Sequence, residues 1–151
     1  MNKEYTFDEI HTLEQNIVND VINFYNQNID FSKIIYTDWT AKDVLAHINT
    51  WHESFAKNVF DIVNGNKLNS LKGRIDEINE NGVKKYKNNT IDELINKLKN
   101  SQEIIDENIK MEIIKGIPYK KGSRNYTPKE HLEIVYKHIK GHLNDIYKKY
   151  K

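Results

Sequence analysis

Four segments of this chain with apolar residues at three- and four-residue steps each open with a threonine followed three residues later by an acid: Thr6/Glu9, Thr40/Asp43, Thr90/Glu93 and Thr127/Glu130. In such a box the threonine hydroxyl accepts a backbone N–H of the first helical turn, and the acid reaches back to the N–H of the cap residue. At the fourth box Pro128 falls on the first helical position, where its missing N–H costs nothing. Tyr5 with Ile10 and Trp39 with Val44 add hydrophobic staples across two of the starts. The same spacing at Thr12/Gln15 and Thr50/Glu53 lies where the periodicity runs straight through, so it marks no start there.

These starts predict four long helices. The first covers about residues 7–28 with Phe7, Ile10, Leu13, Ile17, Val21 and Phe24 inward. The second covers about 41–64, stops at Gly65, and buries Val44, Leu45, Ile48, Trp51, Phe55, Val59 and Ile62. The third begins near Ile91 and carries Leu94, Leu98 and Ile105; the fourth begins at Pro128, runs nearly to the end, and carries Val135, Ile139, His142 and Ile146. Amphipathic helices of this length bury their apolar stripes against one another, which makes the expected fold a single all-α four-helix bundle over residues 1–151. Residues 65–90 form a link too long for a plain turn, and Leu71, Ile75, Ile78, Val83 and Tyr86 predict a short helix inside it. A link of that length permits a crossover between the second and third helices, giving an up-down-down-up order. A second irregular stretch, residues 116–125, joins the third and fourth helices, and connections at a bundle end can cover a site.

Composition then narrows the chemistry. The chain has no cysteine, which excludes disulfides, thiolate metal sites and a cysteine nucleophile of its own. Any metal must be held by His, Asp or Glu. Lys and Arg total 23 against 22 Asp and Glu, interspersed and without a basic block, so a nucleic-acid partner is not expected. Met1-Asn2-Lys3-Glu4-Tyr5 leads into a polar amphipathic segment without the apolar core of a signal peptide. No run approaches the roughly 20 apolar residues that cross a bilayer. The expected location is the cytoplasm.

His138 and His142 are four apart, which puts both imidazoles on one helix face, one turn above the other, along the inward stripe of Val135 and Ile139. His47 lies three residues after Val44 and four before Trp51, on the core-facing side of the second helix. At about 1.5 Å per residue His47 stands about 10 Å from the start of its helix, and in an antiparallel pairing His142 and His138 stand about 12 and 18 Å from the same end. A parallel pairing would put His138 and His142 at about 16 and 22 Å, a worse match. The three can therefore converge on one divalent ion in an antiparallel arrangement. His131 lies on the stripe of His138 and could line a pocket there, whereas His11 and His52 are expected at the surface.

Two stretches resemble a known family. Trp39-Thr40-Ala41-Lys42-Asp43-Val44-Leu45-Ala46-His47 is similar to the second-helix motif of the DinB-like superfamily, and His138-Ile139-Lys140-Gly141-His142-Leu143-Asn144-Asp145-Ile146 to its fourth-helix motif. The resemblance extends over the whole chain as helix order and length, but only these two motifs are specific. It implies a bundle with a parallel crossover and a zinc or nickel site on His47, His138 and His142. It also implies a small-molecule substrate and metal-dependent transfer of a low-molecular-weight thiol, such as bacillithiol or mycothiol, or hydrolysis, in detoxification. Bundles of this superfamily often pair, so a homodimer is a further expectation. The second-helix motif also resembles the ClbS/DfsB family, whose colibactin-resistance members hydrolyse a reactive electrophile and need no metal. That family generally lacks a match for His138, so its presence favours the metal-binding branch. A non-catalytic metal- or ligand-binding stress protein is the third alternative. Asp145 could orient a ligand imidazole, and Glu53, Tyr36, Tyr119 and Tyr126 could act as acid or base only where the fold brings them to the open side of the ion; no catalytic base is assigned.

Overall fold

A computed structural model describes residues 4–151, so Met1-Asn2-Lys3 of the polar N-terminal lead lies outside the described residues. Within them the chain is mostly helical. Its helices are α1 (Phe7–Tyr25), α2 (Ala41–Val63), α3 (Ile75–Lys85), α4 (Ile91–Asn108) and α5 (Pro128–Lys149). Two short antiparallel hairpins interrupt them, β1 (Ile34–Tyr36) with β2 (Trp39–Thr40), and β3 (Ile117–Pro118) with β4 (Asn125–Tyr126). No helix among the described residues is long and apolar enough to cross a membrane.

Each of the four threonine boxes closes in both directions at the start of α1, α2, α4 and α5. At α2, for example, Asp43 N–H donates to Thr40 Oγ1 at 3.2 Å and Thr40 N–H donates to Asp43 Oδ2 at 3.0 Å. Caps of this kind contribute on the order of 1 kcal/mol each. The first helix ends at Tyr25, three residues short of the expected end, because Asn26 caps it and the chain turns there.

Contacts between helices give their relative directions. Asn49 Nδ2 donates to Leu94 O at 3.1 Å and His52 meets Gln102 at 2.8 Å, so positions on α2 and α4 advance together. His11 meets Asp106 and Glu14 meets Gln102, so α1 and α4 advance in opposite senses. Glu4 pairs with Lys129 near one end, and Phe24 packs on Tyr147 and Tyr150 near the other, so α1 and α5 advance together. His47 faces His138 and His142 while Phe55 stacks on His131, an opposite sense for α2 and α5.

The core between the helices is apolar for most of its length, with Ile10, Leu45, Ile48, Phe55, Leu94, Leu98 and Leu132 among its fully enclosed side chains. One layer of it is polar. His11 and His52, expected at the surface, are only 5% and 2% exposed. The correction has a physical cause: their partners Glu14, Gln102 and Asp106 are themselves polar, and a layer held by hydrogen bonds leaves no trace in apolar periodicity. Gln102 sits at the hub, accepting from His52 and donating to Glu14 at 2.8 Å and to Asp106 at 2.9 Å. Burial pushes the Glu14 carboxyl up to about 8, with the Asp106 charge adding to the rise and the Gln102 bond opposing it. Burial likewise lowers His52 to about 4. Their 3.6 Å contact thus joins two uncharged groups at neutral pH.

Helix α3 differs from the others in lacking a side-chain cap at Arg74. It is held by docking instead. Gly82 lies against α2 so closely that an added Cβ would fall 2.9 Å from Thr50 Cβ and Cγ2. Gly82→Ala should therefore cost about 1–3 kcal/mol, read as a lower denaturation midpoint, and an unchanged midpoint would show that α3 can move away freely. Glu14→Gln tests the polar layer. A carboxyl whose pKa is raised on folding contributes stability that is present below the ordinary value near 4.5 and lost as pH rises toward about 8. The amide escapes that loss, so the variant should melt about 4–8 °C above the parent at pH 8, on the order of 2 kcal/mol, with the gap closing at pH 5. Equal gaps at both pH values in thermal melts would contradict it.

Candidate metal centre

Seven residues past its cap, α2 presents His47; from the facing helix α5, His138 and His142 reach it from successive turns. The three Nε2 atoms form a triangle with sides of 3.2 Å from His47 to His138, 3.1 Å from His47 to His142, and 2.9 Å between His138 and His142. His47 is 3% exposed, and the other two are half-buried. Burial lowers all three imidazole pKa values. His47 falls to about 3, helped by the two neighbouring rings; His142 falls to about 4, helped by His138 and opposed by Asp145. All three are neutral at pH 7.

The proton on His142 can be placed by its neighbours. Tyr36 Oη donates to Asp145 Oδ2 at 2.6 Å, which leaves the phenol oxygen to accept from His142 Nδ1 at 2.8 Å. A neutral imidazole protonated on Nδ1 carries a lone pair on Nε2, so His142 aims that lone pair into the triangle. Three mutual contacts would then have to be served by at most two N–H groups, from His47 and His138. Hydrogen bonding alone cannot satisfy them, whereas a cation can. Ligand atoms about 2.1 Å from a common ion stand about 3.0 Å apart at right-angled ligation and about 3.4 Å apart at tetrahedral ligation. The observed sides lie within or beside that range. The three histidines therefore form a group that could hold a divalent ion, and three neutral nitrogens leave further ligand positions free for a small molecule.

The triangle opens into a cavity of about 690 Å³. Its walls come from both hairpin segments and from α2 and α3. The first hairpin supplies Tyr36 and Trp39, α2 supplies Trp51, and the second hairpin loop supplies Tyr119. Trp39 lies 5.0 Å from the His47 ring, and Trp51 stacks on Tyr119 at 4.7 Å. Helix α3 ties both indoles in place, Glu80 accepting from Trp39 Nε1 at 3.3 Å and Asn79 from Trp51 Nε1 at 2.7 Å.

The other candidates fall in different places. Asp145 reaches His142 through the Tyr36 hydroxyl rather than directly. Tyr36 and Tyr119 line the cavity; Tyr126 stands beside His131 and does not. Glu53 faces away, bonded by Tyr86 Oη at 2.6 Å on a separate cavity of about 590 Å³. His131 is buried, stacked on Phe55 at 4.2 Å, and shares only a void of about 20 Å³ with His138. Asn79 and Glu80 escaped the sequence reading because their register to the site depends on how α3 docks. A second group, His11, Glu14 and Asp106, also gathers ligand atoms within 4.8 Å. There Asp106 Oδ1 already accepts from Gln15 and Gln102 and contacts His11 at 2.8 Å, and Glu14 Oε1 accepts from Gln102, while Glu14 Oε2 has no hydrogen-bond partner.

Compared with known protein families, with curated proteins and with solved structures, the chain matches none. What the site can do follows from its own atoms. Tyr36→Phe removes the acceptor that orients His142, and it should weaken divalent-ion binding about 10- to 100-fold without lowering helix content. Competition titration against a chelating dye measures this, and an unchanged affinity would show that the hydroxyl has no part in holding the ligand ring.

Proposed function

We propose that this chain is a metal-dependent enzyme of the DinB-like kind: a cytoplasmic up-down-down-up four-helix bundle whose His47, His138 and His142 hold zinc or nickel. Its reaction is transfer of a low-molecular-weight thiol to an electrophile, or hydrolysis of one, in detoxification. The observation that carries the reading is the triangle of three neutral imidazole nitrogens at the floor of an aromatic-walled cavity. The bundle order is supported by the contact directions, α2 advancing with α4 and against α5.

A divalent ion bound there would supply Lewis acidity, lowering the pKa of a bound water or thiol. The chain's own residues do the rest. Tyr36 keeps the His142 proton on Nδ1, and its own pKa is raised by burial and by the Asp145 carboxylate, so the phenol holds its proton at neutral pH. Trp39, Trp51 and Tyr119 exclude water and shape the space for an apolar or aromatic portion of a substrate.

Elemental analysis of untagged protein should find about one zinc or nickel per chain. At about a hundredfold excess over its dissociation constant the ion should add about 2.7 kcal/mol, a rise in melting temperature of roughly 5–11 °C. His138→Ala should abolish that rise while leaving the far-ultraviolet spectrum unchanged. Absence of both ion and shift would overturn the reading. Electrophile hydrolysis that survives in His138→Ala would favour the metal-independent ClbS/DfsB-like alternative.

A further inference from the structure

The charges around the cavity are all of one sign. Asp38 on the β1–β2 turn and Asp76 and Glu80 on α3 line it, and among the described residues no Lys or Arg does. Arg74 pairs with Asp76 at 3.0 Å, which offsets that carboxylate. Asp38 and Glu80 have no Lys or Arg within ion-pair distance among the described residues, although Glu80 accepts the Trp39 N–H. The adjoining cavity on the other side of α2 is different, with Lys57, Lys72 and Lys85 around it. Lysines thus surround that neighbouring cavity and, among the described residues, are missing from the lining of the large cavity that opens on His47, His138 and His142.

The walls point the same way. Trp39, Trp51, Tyr36 and Tyr119 line the cavity with aromatic rings, Trp51 and Tyr119 stacked on each other, and a ring face left open to the cavity attracts a cation, indoles best. Hydrogen bonds from both Trp N–H groups to α3 hold the two rings in fixed positions beside the acids. Away from the histidines an anionic group would meet two uncompensated carboxylates and no Lys or Arg among the described residues, whereas an ammonium would meet carboxylate and ring together.

We infer that the substrate of this site carries a positive charge: it is a small amine-bearing molecule whose donor atom enters at the histidines while its cationic end rests against Asp38, Glu80 and the tryptophans. The inference rests on the metal-centre reading above and specifies its substrate class. Glu80 and Asp38 are then specificity-determining residues. Neither touches the reacting atoms.

The test uses the full chain loaded with zinc and three small thiols that differ in charge: cysteamine, neutral 2-mercaptoethanol and thioglycolate. Isothermal titration gives each affinity, normalised to 2-mercaptoethanol in the same protein. Comparing the parent with Asp38→Asn/Glu80→Gln cancels the different intrinsic acidities of the thiols, and Gln at position 80 keeps an acceptor for Trp39. The ratio of cysteamine to thioglycolate affinity should fall about three- to tenfold in the double variant at low salt, and the gap should narrow as salt screens it. A ratio unchanged within about twofold would overturn the cationic-substrate inference while leaving the metal centre standing. Failure of the parent to take up zinc would overturn the metal-centre reading and this inference with it, whereas failure of all three thiols to bind the zinc-loaded parent would overturn this inference and leave the metal centre standing.

Discussion

Lone pairs on neighbouring neutral imidazoles repel, and a helix interface offers little water to relieve them. His47, His138 and His142 nevertheless stand with their Nε2 atoms no more than 3.2 Å apart. Such a triangle persists only because the surroundings over-determine it. Rigid α2 and α5 set the heights of the three rings. Tyr36, itself tied to Asp145, fixes the tautomer and tilt of His142, and Trp39 closes against His47. The first hairpin thus contributes two of the parts that hold the histidines, despite having only five residues in strand.

The same molecule contains a second concentration of buried polar groups, and the contrast shows what distinguishes a site from a scaffold. Around Glu14, His52 and Gln102 the hydrogen bonds leave only Glu14 Oε2 without a partner, and Gln102 can serve both neighbours because an amide both donates and accepts. The layer fixes the register of α4 against α1 and α2. Around His47, by contrast, His47 Nδ1 has no hydrogen-bond partner and the Nε2 contacts cannot all be hydrogen bonds. Unsatisfied nitrogens beside a large cavity are a reason to look for a ligand; satisfied ones in a closed core are not.

Much of this is legible in the sequence. The threonine boxes marked the starts of four helices because capping is local chemistry, decided by residues three apart. Those starts supplied origins for measuring height, and so the approach of His47 to His138 and His142 could be anticipated from helical rise alone. What escaped was everything decided by partners distant in sequence. His11 and His52 lie inside because Asp106 and Gln102 receive them, some 95 and 50 residues away. Asp145 was singled out as a possible support for a ligand ring, but the intervening Tyr36, 109 residues earlier, could not be inferred from spacing.

Helix α3 carries this distinction furthest. It has no side-chain cap, buries only Ile78 and Gly82, and runs for three turns, so little in its own sequence stabilises it as an isolated helix. Its acids in the first turn and lysines in the last favour the helix dipole, a contribution of a few tenths of a kcal/mol each. What holds it is the close approach of Gly82 to Thr50 and the two tryptophan N–H groups that reach Glu80 and Asn79. The element with the least intrinsic stability is therefore the one that lines the cavity mouth and sets its charge. A segment stabilised mainly by docking can change its exposed acids without disturbing the bundle beneath, because the histidine triangle is fixed by α2, α5 and the first hairpin. The first hairpin takes part in both, since it supplies Tyr36 and Trp39 beside the histidines and Asp38 at the mouth, while α3 supplies Asp76 and Glu80.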